Sequence, residues 1–193
     1  TADEYLSGNV RAKLRVAQTA AESDPSFAVN VEALQAAQPK DLDASEIDVR
    51  LGTTWVDKAY IQRFMIELLG IPYYEQRRIH VNYAPQTAEW SIDGKSLLSE
   101  NVNNYMKYGT RRAPALKILE DTLNLKDVRI YDTIKDEEGR PKRVLNKTDT
   151  MLAQQKQQII KDAFANWIWQ DPQRRIALVK QYNELFNSNR PRE

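Results

Sequence analysis

The sequence predicts an α+β fold, helix-rich, with small antiparallel hairpins or sheet and a C-terminal pair of helices. Three observations predict it. Apolar residues recur at spacings of three and four over several long stretches, the mark of amphipathic helices. Two pairs of short alternating segments are each joined by turn-forming residues. Asp171-Pro172 supplies an N-cap and a first-position proline for one last helix.

Taken in order, Leu6, Val10, Leu14 and Ala17 fall on one helical face, with Arg11, Lys13 and Arg15 on others, which predicts a helix over 6–22. Asp24-Pro25-Ser26 stops it. A second helical piece over 27–37 has Val31 and Leu34 as core candidates, and Pro39 opens a polar loop over 40–45. Ile47, Val49 and Leu51 alternate with Asp48 and Arg50, which predicts a short strand before Gly52. Thr54 and Asp57 resemble a capping box ahead of a helix whose Tyr60, Ile61, Phe64, Met65 and Leu68 form one stripe, ended by Gly70 and Pro72.

Segments 79–83 and 88–92 alternate about an 84–87 turn, so a hairpin is expected there, followed by an Asp93-Gly94 turn. Helices are expected over 97–107 and 114–124. Val128 to Tyr131, with Val144-Leu145 and the charged tip Glu137 to Arg140, predicts a second hairpin. Thr148 caps a long helix to about Trp169 with Met151, Ile159, Phe164 and Trp167 inward, and the last helix runs to about Phe186. Residues 187–193 look like a frayed exit. The division expected is a helical arm over 1–45 and an α+β body over 46–193, both part of a larger multidomain chain.

The 193 residues suffice for one globular domain with a core, and no apolar run approaches a membrane span. The opening Thr1-Ala2-Asp3-Glu4 lacks the features of an export signal, so a soluble, cytoplasmic chain is expected. Having no Cys and one His excludes disulfides, thiolate metal sites and an ordinary zinc site. Residues 1–48 hold four Lys or Arg against nine Asp or Glu, a balance of −5, which leaves +6 on 49–193 in a chain of net charge +1. An acidic front and a basic body point to an anionic partner for the body.

The glycines are isolated, so no phosphate-cradling loop exists, and no methylase tetrapeptide, nucleophile elbow or convincing nuclease pair is present. His80 is a general base in principle, but in an alternating strand it is more economically a surface or core-edge residue. No catalytic role is expected. The stretch 101–119 is richer. Tyr105, Lys107, Tyr108, Arg111, Arg112 and Lys117 occur there without an acid, across a Gly-Thr turn ahead of a helix start. Cations among aromatics suit phosphate contact and base stacking, and a helix start adds amides; two core tyrosines beneath a solvated cationic face would give the same pattern. Arg77-Arg78, Lys142-Arg143 and Arg174-Arg175 are further basic pairs, and Trp90 is a further stacking candidate. Trp167 and Trp169, two apart on a helix, cannot share a face; one belongs to the core and the other, Trp169, to an interdomain contact.

The string Trp167-Ile168-Trp169-Gln170-Asp171-Pro172-Gln173-Arg174-Arg175, with Leu178-Val179, Tyr182-Asn183, Phe186-Asn187 and 190–193, resembles a segment of large bacterial phage and conjugative-element proteins. Those proteins fuse an adenine-specific methylase region to a Swi/Snf-like superfamily-two helicase. Residues 5–14, 30–34 and 49–55 resemble the same proteins, so the likeness spans nearly the whole chain. It implies a place between methylase and helicase motor, in a mobile-element or restriction-modification-like setting. It carries over no catalytic residue, and implies S-adenosylmethionine, ATP and magnesium for the parent alone, with no cofactor in this segment.

Two roles follow as expectations. One is a non-catalytic DNA-contacting module, with Arg77, Arg78, Lys107, Arg111, Arg112, Lys142 and Arg143 on phosphates and Tyr108 or Trp90 stacking. The other is a coupler that packs against the flanking methylase and helicase domains of the same chain without touching DNA.

Overall fold

The computed structural model describes residues 1–192 and is an α+β fold: helices predominate, accompanied by three two-stranded antiparallel sheets. The chain opens with α1 (Ala2–Tyr5), β1 (Gly8–Asn9), α2 (Val10–Ser23) and α3 (Ala28–Ala36). There follow α4 (Lys58–Leu69), α5 (Tyr73–Gln76), β2 (His80–Ala84), β3 (Glu89–Asp93), α6 (Ala115–Leu123), β4 (Tyr131–Lys135) and β5 (Pro141–Leu145). It closes with α7 (Lys147–Gln170), α8 (Pro172–Phe186) and β6 (Asn189–Arg190). Two compact units result, Val49–Gln170 and a second made of Thr1–Asp48 with the segment from Asp171 onward. The last helix therefore joins the N-terminal arm, where the sequence division had placed it in the body.

In the discontinuous unit, Val10, Ala17 and Leu34 form a small core onto which Leu6, Leu14 and Val31 pack. The helix begins at Val10 because Gly8 has positive φ and the Asn9 side chain caps by accepting from the Ala12 N–H at 2.9 Å. Asn183 on α8 is buried and clamps the chain: its side-chain oxygen accepts from the Leu42 N–H and its amide donates to the Leu42 carbonyl, each at 2.9 Å. Asn189–Arg190 pair with Gly8–Asn9, so the expected frayed exit is a strand through Arg190; Glu193 lies outside the described residues.

The Val49–Gln170 unit packs α4, α6 and α7 with the β2–β3 hairpin. Phe64 of α4 meets Phe164 edge-on at 5.1 Å and Trp167 at 5.5 Å, which accounts for the inward tryptophan. Trp167 donates its indole N–H to Glu67, and Trp169 is half-buried. Gln157 ties α7 to α6, accepting from Val128 N–H while donating to Thr122 Oγ1 and the Lys126 carbonyl.

Several expectations are corrected. Ile47, Val49 and Leu51 are buried in alternation as predicted, yet form no strand, because no neighbouring strand completes a ladder. Asp57, one residue before α4, caps it by accepting from Ala59 N–H at 2.7 Å, so Thr54 is not the cap. The helix expected over 97–107 is a 3₁₀ turn at Lys95–Leu98 and a π turn at Asn103–Lys107. Asparagine side chains cause the break by serving backbone groups elsewhere: Asn101 donates to the Leu69 carbonyl and Asn104 to that of Leu98. Asn146 in place of Thr148 caps α7, accepting from Asp149 N–H at 2.9 Å, and Met151 and Ile159 of α7 are exposed.

Candidate nucleic-acid interface

The β4–β5 ribbon is the most exposed regular element of the Val49–Gln170 unit. Of its ten residues only Asp132 is less than exposed. Strand partners share a face, so Tyr131 and Leu145, Thr133 and Arg143, and Lys135 and Pro141 line one side. Asp132, Ile134, Lys142 and Val144 line the other. On the first side the Arg143 guanidinium lies 4.3 Å over the Tyr131 ring, which places a cation and an aromatic edge together in solvent.

Of the four acids of the ribbon three are engaged, and Glu137 at the tip makes no ion pair among the described residues. Asp136 accepts from the Glu138 and Arg140 N–H groups at 2.9 and 2.8 Å and thereby shapes the tip, while Glu138 pairs with Arg140. Asp132 is held by Arg112 and by the Asn146 side chain. Lys135, Lys142 and Arg143 make no such pair among the described residues, so three free cations stand against one free carboxylate, Glu137, on the ribbon.

Arg112 does a different job from the one expected of it. Its guanidinium binds Asp132 on β4, Asp149 at the start of α7 at 3.0 Å and the Tyr131 carbonyl at 2.9 Å. With its donors committed to two carboxylates, it positions the ribbon base instead of meeting phosphate. Its hydrogen bonds, chiefly to Asp132, hold it firmly protonated; in return they keep the Asp132 carboxyl below its ordinary range, with the Asn146 hydrogen bond adding to the effect. Arg111, next to it, is exposed and makes no ion pair among the described residues.

Two further expectations, one about the start of α6 and one about Trp90, are modified for identifiable reasons. The start of α6 is partly used inside the protein: Leu116 N–H donates to Asn104 Oδ1 at 3.1 Å, and Ala113 N–H, ahead of the helix, to Thr110 Oγ1 at 3.0 Å. Gly109 explains the tightness, since a Cβ at that position would lie 2.2 Å from the Asn104 carbonyl oxygen and 2.4 Å from Ala115 N. Trp90 is not a stacking platform. It is 5% exposed, turned into the core with Tyr83 at 4.7 Å, and its backbone is bound by the Asn124 side chain.

Lys107 and Tyr108 stay together, the ammonium 5.2 Å over the ring, and Lys156 of α7 donates to the Lys107 carbonyl. Thus Arg111, Arg112, Lys142 and Arg143 converge on the ribbon and its base, with Lys107 and Tyr108 on the π turn against α7. Arg77 and Arg78 lie elsewhere, exposed before β2. Arg174 is buried. The sequence reading overlooked Tyr131, Thr133 and Lys135, although their period-two spacing opposite Arg143 was the available signal. His80 is exposed and donates to the Arg77 carbonyl at 2.6 Å. Among the described residues no group of three or more His, Asp or Glu is placed to hold a metal, and no helix is long and apolar enough to cross a membrane.

A helix-backed hairpin unit that extends a second, solvent-exposed ribbon is the class these features define. Over residues 50–188 the chain matches the model of a family described as a domain of unknown function (DUF8437), and it belongs to that family. No curated protein and no solved structure matches it.

Proposed function

We propose that this chain is a non-catalytic DNA-contacting module, and that the β4–β5 ribbon is its contact. The observation that carries the reading is the exposed ribbon face of Tyr131, Thr133, Lys135 and Arg143, unpaired with acids and held at its base by Arg112. A two-stranded ribbon has the width of the major groove. Its lysine and arginine suit phosphates and guanine edges, and its threonine either base class. The likeness to methylase–helicase fusions supports the same reading, because a segment between those domains works beside DNA.

A second reading, the interdomain coupler, is favoured by the exposed Met151, Leu152 and Ile159 of α7 and, separately, by Ile176, Leu185 and Phe186 of α8. Titration of a labelled duplex with the whole chain over a salt series separates the two. DNA contact predicts binding that weakens steeply with salt, and an Arg111→Ala/Arg143→Ala variant whose salt slope is flatter by about 2. Absence of binding at low salt, or an unchanged slope in the variant, overturns the DNA reading and leaves the coupler.

A further inference from the structure

The single turn α5 presents two aromatic rings that nothing covers. Tyr73 is 74% exposed and Tyr74 77% exposed. A tyrosine ring carries a large apolar area that folding ordinarily covers. Each ring is followed four residues later by a cation. Arg77 keeps helical backbone angles, φ −71° and ψ −12°, so it lies on the Tyr73 side of the turn. Arg78 continues the coil, with its N–H on the Glu75 carbonyl at 2.9 Å, and follows Tyr74 in the same way. Neither guanidinium has an ion-pair partner among the described residues.

The backbone beneath is held fast. The His80 ring donates to the Arg77 carbonyl at 2.6 Å. Gly94, at φ +75°, approaches so closely that a Cβ there would lie 2.3 Å from the Arg78 carbonyl oxygen. Beside Tyr74 opens a polar cleft walled by Gly70, Pro72, Glu75 and the 97–101 segment, and Glu75 and Glu100 give it an acidic side. Those carboxylates repel phosphate but accept from base amino groups. A strand would therefore run its phosphates along Arg77 and Arg78 and turn its bases toward the tyrosines.

We infer that Tyr73, Tyr74, Arg77 and Arg78 form a stacking platform for single-stranded DNA, separate from the ribbon. The inference rests on the DNA-contacting reading and adds to it a site for unpaired bases. Stacking on exposed aromatics is tolerant of sequence, so the platform takes strand character more than base identity as its cue.

The test is binding of the whole chain to a labelled oligonucleotide of about 15 nucleotides that cannot self-pair, alongside a duplex. Tyr73→Ala/Tyr74→Ala is expected to weaken single-strand binding about tenfold or more, while Tyr73→Phe/Tyr74→Phe keeps it within about threefold and duplex binding stays unchanged in both. Single-strand binding untouched by the alanine pair overturns the platform, as does wild-type binding to duplex alone; in either case the ribbon reading survives if Arg111→Ala/Arg143→Ala weakens the duplex complex. Binding of neither DNA form overturns both together. A partner protein held through Tyr73 and Tyr74 by a chain that binds no single strand would likewise overturn it.

Discussion

The two hairpins of the Val49–Gln170 unit have strands of equal length and the same antiparallel pairing, yet one is covered on one face and sealed along both edges and the other is open. In β2–β3, Val81, Tyr83, Trp90 and Ile92 turn one face toward the helices. Both outer edges are sealed by side chains. Gln62 accepts from Val81 N–H and donates to the Ile79 carbonyl, and on the far edge Asn124 does the same for both backbone groups of Trp90. Glu120 takes the Ile92 N–H at 2.8 Å. An unpaired strand edge invites foreign strands, and here amide side chains stand in for a third and a fourth strand. The β4–β5 ribbon has neither an apolar face against helices nor such seals along its length, and is attached at its base through Arg112 and Asn146. The chain thus uses side chains to seal one hairpin and leaves the next open to solvent.

The largest effect that would sharpen this contrast comes from truncating one aromatic in each hairpin. Trp90→Ala is expected to lower the unfolding free energy by about 3–5 kcal/mol, from lost burial and the cavity left behind. Tyr131→Ala, on the open ribbon, should shift it by about 0.5 kcal/mol or less and act on DNA binding instead. Urea titration measures both. Equal losses would break the distinction between closed and open hairpins.

A smaller effect is expected from Asn124→Ala, which strips two partners from the Trp90 backbone. About 1–3 kcal/mol should be lost, and exchange of the Trp90 amide should quicken while the cross-strand amides of β2–β3 remain protected. An unchanged exchange rate at Trp90 would show that the edge needs no seal.

The smallest concerns the ribbon base. Arg112→Ala should leave global stability nearly as it is and raise amide exchange at Asn146, whose N–H bonds to the Ile130 carbonyl at 2.8 Å. The pH dependence has a definite sign. Because the Asp132 carboxyl titrates lower when folded, its contribution is complete above the unfolded value, near pH 4, and is lost as pH falls through the folded one. Protection at Asn146 in the wild type should accordingly decline only in that acid window. The variant, lacking the guanidinium but keeping the Asn146 hydrogen bond to Asp132, should show a smaller step there; a step of equal size would remove Arg112 from its positioning role.

How far the sequence could be read depended on the range of the causes. Alternation about a turn and the Asp171-Pro172 cap are local signals, and β2–β3 and α8 appear where they were expected. Ile47, Val49 and Leu51 kept their burial but not their strand, since pairing needs a partner that three residues cannot supply. The break at Asn101 to Asn104 came from carbonyls and amides far along the chain, at Leu69 and Leu116. For the interface, the basic character of Arg111, Lys142 and Arg143 was visible. The engagement of Arg112 was not, because Asp132 lies twenty residues away. Nor was the burial of Trp90, which an isolated alternating strand cannot report.

The pairing of Gly8–Asn9 with Asn189–Arg190, and the grip of Asn183 on Leu42, set a timetable for synthesis. On the ribosome Val49–Gln170 can close its own core as soon as it emerges. Residues 1–48, though made before that unit, must wait with Leu42 unclasped until α8 leaves the exit tunnel.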